Sequence, residues 1–104
     1  MINVTILNEA KIELFEAVGY YEEKSKGLGL DLHKEVKSAI EIIRRFPECC
    51  SLRKDETRRY LINRFPYLIV YTFFENHIWI VAFAHCKRRP RYWANRKNNI
   101  QRNP

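Results

Sequence analysis

The stretch Tyr67-Leu68-Ile69-Val70-Tyr71-Thr72-Phe73-Phe74-Glu75-Asn76-His77-Ile78-Trp79-Ile80-Val81-Ala82-Phe83-Ala84-His85 decides the fold. It is dense in β-branched and aromatic residues, and its one polar break is the pair Glu75-Asn76, which predicts two long strands joined by a tight hairpin turn. The strands are expected over 65–74 and 77–86, with a shorter one before them over 57–63. Continuous antiparallel pairing outward from Phe74 opposite His77 puts Leu68, Val70, Thr72, Trp79, Val81, Phe83 and His85 on one face. Tyr67, Ile69, Tyr71, Ile78, Ile80, Ala82 and Ala84 then share the other. Both faces are largely apolar, so both require a cover.

Working outward, Val4-Thr5-Ile6-Leu7 reads as a short strand, with Asn8 the expected N-cap of a following helix. Leu14, Phe15, Val18 and Tyr21 recur at helical spacing, and the helix should reach about Lys24. Ser25-Lys26-Gly27-Leu28-Gly29 allows a reversal. A second helix turns Leu32, Val36, Ala39, Ile40 and Ile43 inward and stops before Pro47, because the residue ahead of a proline avoids helical dihedrals. The expected architecture is α+β: a helical hairpin on one face of a four-stranded sheet in the order β-α-α-β-β-β, closed by a short C-terminal helix or tail. The chain's own end, or a partner protein, would cover the other face.

At 104 residues and 46% hydrophobic content the chain is expected to form one folded domain, 1–104. Its charge is unevenly placed. Seven basic and no acidic residues lie between Lys87 and Pro104, so the whole net charge of +7 sits in the last eighteen residues. Charge concentrated in this way points to an anionic partner. Cys49, Cys50 and Cys86 form no paired metal spacing and cannot all pair, which argues against a zinc site or a disulfide framework. They read as small buried or loop thiols. There is no basic-apolar leader and no apolar run near the roughly 20 residues that span a bilayer, so a cytoplasmic protein without membrane contact is expected.

The chemistry-bearing residues cluster late: Arg58 and Arg59, Arg64-Phe65-Pro66-Tyr67, then His85 and Lys87-Arg88-Arg89-Pro90-Arg91-Tyr92-Trp93. Together with Glu13-Leu14, Ala17, Tyr20-Tyr21-Glu22, Gly27-Leu28-Gly29 and Phe46-Pro47, this pattern resembles the RelE/ParE superfamily of type II toxin-antitoxin toxins, often called plasmid stabilisation proteins. The likeness runs along nearly the whole chain. Its more specific half is the Phe-Pro-Tyr strand opening with the His and Pro-x-Tyr-Trp ending.

The resemblance implies two mechanisms. ParE-like members bind DNA gyrase and poison it, inhibiting growth without known hydrolysis; RelE-like members are metal-independent, ribosome-dependent mRNA endonucleases. Neither needs a cofactor. Cleavage through the ribose 2′-hydroxyl requires a base, an acid and cations around the phosphorane. Here the candidates are His85 for proton transfer, Arg59, Arg64 and Arg88 for charge, and Tyr92 as proton donor. Lys87, Arg88, Arg89, Arg91 and Trp93 are the candidates for nucleic-acid or target binding, with Trp93 able to stack on a base. The strand position where RelE-like members usually carry a catalytic arginine holds Leu68, which by the expected register lies on the His85 face. That departure favours the ParE-like branch. An inactive basic nucleic-acid-binding module on the same fold is the third reading. The resemblance also implies a cognate antitoxin, an acidic amphipathic segment received by the second, apolar sheet face and its cationic border.

Overall fold

A computed structural model describes residues 2–89 and 91–100, with the side chains of 97–99 left aside. Pro90, part of the Pro-x-Tyr-Trp ending, and the last residues of the basic tail lie outside the described residues. The elements are β1 (Asn3–Ile6), α1 (Asn8–Lys24), α2 (Leu28–Arg45), β2 (Arg58–Leu61), β3 (Tyr67–Phe74), β4 (His77–His85) and a closing 3₁₀ turn (Ala94–Asn99). The strands form one mixed sheet in the order β1-β4-β3-β2, with β1 parallel to β4 and the other pairs antiparallel. This is the expected α+β architecture.

The helical hairpin closes through glycine chemistry. Gly27 adopts φ 90°, in the left-handed region, and a Cβ on Gly29 would come within 2.6 Å of the Val18 carbonyl oxygen. That close approach lets the Glu22 carboxylate on α1 accept from the N–H groups of Gly27 and Gly29 at 3.0–3.1 Å, satisfying the open N-terminus of α2. Leu32, Val36, Ala39 and Ile43 of α2 are buried as expected, while α1 buries Ala10 and Ala17 and packs Leu14, Val18 and Tyr21 beside them. Two local expectations fail. Phe15 falls off this stripe and is 72% exposed, and Leu7 rather than Asn8 occupies the cap of α1, with no side-chain cap bond.

The hairpin register begins as expected, with Phe74 opposite His77 and Tyr71 opposite Ile80. It then slips by one residue: Val70 faces Ala82, Ile69 faces Phe83, Leu68 faces Ala84 and Tyr67 faces His85. Val81 is the extra residue of a β-bulge, and because strand side chains alternate, everything beyond it changes face. Phe83 joins the core under the helices, whereas Ala82 and Ala84 join the opposite one. Leu68 and His85 therefore do not share a face.

Two cores result. The larger lies between the helices and the sheet and includes Leu32, Ile43, Ile69, Tyr71, Ile78 and Phe83. The smaller, on the other face, gathers Leu7, Val70, Val81, Ala82, Ala84, Trp93 and Ile100. The chain's own residues 91–100 thus cover the second face, which corrects the expectation that this face receives an antitoxin.

Candidate functional site

β4 has an incomplete edge. β1 pairs with it only from His77 to Ile80; the Leu7 N–H then donates to the Ile80 carbonyl at 3.0 Å as the chain turns into α1. Beyond that point side chains take over. Glu13 on α1 accepts from the Phe83 N–H at 3.1 Å, and Arg96 donates to the Val81 carbonyl at 3.2 Å. The Arg96 guanidinium also grips the Glu13 carboxylate at 2.7 and 3.2 Å, and the Tyr92 hydroxyl donates to its second oxygen at 2.5 Å. Burial acts against the Arg96 charge, yet Glu13 more than compensates and raises its pKa. Burial and the Glu13 carboxylate together push the Tyr92 phenol well above its ordinary range. Its proton is held in a structural bond, which does not suit the proton-donor role expected for Tyr92.

Beside this network an open depression is lined by Glu16, Tyr20, Tyr67, His85 and Arg88, between α1 and the end of β4. The bulge brings His85 here. Its ring sits edge-on to Tyr67 at 5.1 Å, and its Nδ1 accepts from the Lys87 N–H at 3.0 Å. Arg88 lies over the Tyr92 ring at 4.1 Å. His85 and Arg88 are therefore brought together, with Lys87 and Arg89 exposed alongside.

The other candidates are elsewhere. Arg59 pairs with Val70, so it projects from the face opposite His85. There its guanidinium stacks on Trp93 at 5.0 Å and approaches Asp55 at 3.7 Å. Trp93, expected as a base-stacking or target-binding residue, is only 2% exposed and serves as the central side chain of the second core. A basic-aromatic run at a chain end reads equally as a binding surface or as a cover, and here burial decides. Asp55 itself is held below its ordinary pKa: burial works against ionisation but is outweighed by the Thr57 hydroxyl and N–H, the nearby Trp93 indole and Arg59. The indole approaches Asp55 without completing a hydrogen bond of good geometry. Arg64 sits in the turn before β3 at φ 69° and faces Asp31 on α2 at 3.5 Å. Arg91 is exposed at the start of the covering segment.

Arg58 and Arg59 divide between the two faces, as consecutive strand residues must. Arg58 reaches the Cys50 carbonyl at 2.6 Å, and Tyr71 donates to the Pro47 carbonyl at 2.8 Å, so together they hold the loop after α2. In that loop Cys49 and Cys50 have sulfurs 3.8 Å apart, and Cys86 is exposed in the turn after β4. Among the described residues no three His, Cys, Asp or Glu side chains are grouped to hold a metal ion. No helix among them is long and apolar enough to cross a membrane.

Glu13 and Arg96 are the residues whose roles the sequence concealed. Glu13 stood among the family-like positions, but its partners lie 70 and 83 residues away, a separation that no local pattern reveals.

Residues 4–90 match the family of the ParE toxin of type II toxin-antitoxin systems, parDE. In solved structures, a chain of the chromosomal ParDE TA system from P. aeruginosa has a similar fold, with a TM-score of 0.64 and 13% identity over 84% of this chain and 98% of that one. No curated protein sequence matches the chain. The helical hairpin on a four-stranded sheet and the match over most of the length agree, and the chain belongs to the ParE toxin family as the toxin component of a type II toxin-antitoxin system.

Proposed function

We propose that this toxin arrests growth by binding DNA gyrase, and that it does so without hydrolysing nucleic acid. One observation carries the reading against the nuclease: His85 and Arg59 lie on opposite faces of the sheet. A ribonuclease of the metal-free kind needs its base, acid and cations around one phosphorus. Here Arg59 is turned away, Arg64 faces α2, the Tyr92 hydroxyl is engaged by Glu13, and Leu68 lies with the second core. The membership in the ParE family supports the same choice. His85 and Arg88, with Lys87 and Arg89, then form a surface for the target rather than a reaction centre.

The partner that restrains the toxin is a cognate antitoxin. With the second sheet face already covered, the apolar contacts for an amphipathic antitoxin segment come from exposed side chains of the helical hairpin, chiefly Ile12 and Phe15 on α1 and Ile42 on α2.

The test is direct. Purified toxin is incubated with gyrase, ATP and supercoiled plasmid, and the DNA is examined after denaturing the enzyme. Accumulated linear, protein-linked plasmid, reduced when Lys87, Arg88 and Arg89 are all changed to Gln, is the expected result. Fresh mRNA 5′ ends inside translated codons, abolished by His85→Ala and appearing without any effect on gyrase, would instead establish the nuclease.

A further inference from the structure

Away from the His85 depression, a second cationic groove opens on the far side of the sheet. It is lined by Arg53 and Lys54 of the loop before β2, Arg59 of β2, and Arg91 at the start of the covering segment, with Ser51, Leu52 and Asp55 completing it. Four cations line it against one carboxylate, Asp55, which accepts from the N–H and hydroxyl of Thr57 at 3.1 and 2.6 Å through one oxygen and lies 3.7 Å from Arg59 through the other. Among the described residues Arg53, Lys54 and Arg91 have no carboxylate partner. The Arg59 Nε is buried without a hydrogen-bond partner, so the fold does not use all of its donors. Glu56 and Ala94 border an extension of the groove that Lys54 and Arg91 also line.

A cluster of guanidinium forks with an ammonium is suited to tetrahedral oxyanions. Arg59 is pre-oriented by its stack on Trp93, which removes part of the entropy cost of ordering it. The loop cations can then close around a bound group. A carboxylate-bearing peptide is the poorer fit. The groove's exposed apolar side chain is Leu52, whereas the Ile12 and Phe15 that an amphipathic peptide would seek lie on the helical layer.

We propose that the groove formed by Arg53, Lys54, Arg59 and Arg91 binds backbone phosphates of duplex DNA, so that the toxin grips DNA through the face opposite His85. The choice of duplex DNA rests on the gyrase reading; the phosphate chemistry does not. A toxin with target-facing residues on one side and a phosphate groove on the other can bridge gyrase and the DNA it holds. Contacts of this kind confer affinity without sequence preference and weaken steeply with salt.

The probe is a fluorescein-labelled 20-base-pair duplex, with anisotropy titrated by the full chain between 50 and 200 mM NaCl in the absence of gyrase. Arg53→Gln/Lys54→Gln alters two exposed side chains and should weaken binding at least tenfold at the lowest salt. It should also reduce the slope of log affinity against log salt by about two. Lys34→Gln/Lys37→Gln, an equal loss of charge on the exposed side of α2, should change affinity less than twofold, and unchanged thermal melting should show both variants to be folded. The proposal is overturned if the wild type shows no salt-dependent binding, if both pairs weaken it equally, or if a 20-residue polyglutamate peptide binds more tightly than the duplex. Because gyrase is absent, failure here leaves the gyrase reading to its own cleavage experiment.

Discussion

The two faces of the sheet are covered by different means. On one, two regular helices lay an aliphatic stripe over Ile69, Tyr71, Ile78 and Phe83. On the other, a turn followed by a six-residue 3₁₀ helix places Trp93 and Ile100 over Val70, Val81 and Ala84. The helical cover is continuous and depends on many modest contacts. The C-terminal cover depends on a few large ones: a single indole, a cation stacked on it, and a carboxylate that engages Tyr92 and Arg96. A cover with few anchors should be the more fragile per substitution.

The largest expected effect is accordingly Trp93→Ala, which should cost about 3–5 kcal/mol by urea denaturation. Leu32→Ala, on the helical side, should cost about 2–5 kcal/mol. The comparison breaks if Trp93→Ala costs under about 1 kcal/mol, since residues 91–100 would then not act as a structural layer. Next comes the carboxylate anchor. Glu13→Gln leaves Arg96 largely buried without its counter-charge and should cost about 2 kcal/mol, less than a fully enclosed pair because both groups keep some contact with water. Arg96→Met in the Glu13→Gln background should then cost less than Arg96→Met alone; strict additivity of the two would remove the coupling between α1 and the cover.

A smaller effect follows from Asp55. Its folded pKa lies below the ordinary 3.8, so its contribution to stability is complete above that value and is lost as pH falls through the depressed folded one. Asp55→Asn should flatten this acid limb in urea titrations between about pH 5 and pH 2, and an unchanged limb would assign acid sensitivity to other carboxylates. Smallest of all is Phe15→Ser on the helical layer, expected within about 0.5 kcal/mol of wild type because the ring is exposed. Its effect should appear in antitoxin affinity instead.

Where sequence reasoning succeeded and where it failed follows the same division. The helices announced themselves because polar residues interrupt their apolar stripes, and the Glu75-Asn76 turn because it breaks an apolar run. The bulge at Val81 left no such mark. From Ile78 to Ala84 every residue is apolar, so a one-residue slip exchanges one apolar side chain for another and nothing in the pattern registers it. That slip moved Phe83 under the helices, turned His85 to the helical face at its edge, and separated His85 from Leu68. Within the candidate site, His85 and Arg88 were found together because they are close in sequence. Arg59 was misplaced because its face depends on the pairing of a neighbouring strand. Trp93 was misassigned because an aromatic residue among arginines suits a wet surface and a dry lid equally well until burial is known.

The side chains on the outer half of β4 have a further consequence. A strand edge ordinarily invites another strand, and this one is blocked at Val81 and Phe83 by a guanidinium and a carboxylate that also hold the C-terminal cover in place. Any chain seeking to extend the sheet there must displace Arg96 and Glu13, and displacing them removes one of the cover's anchors. Strand addition at β4 and loosening of residues 91–100 are thus coupled: whatever strengthens this corner of the lid also strengthens the guard.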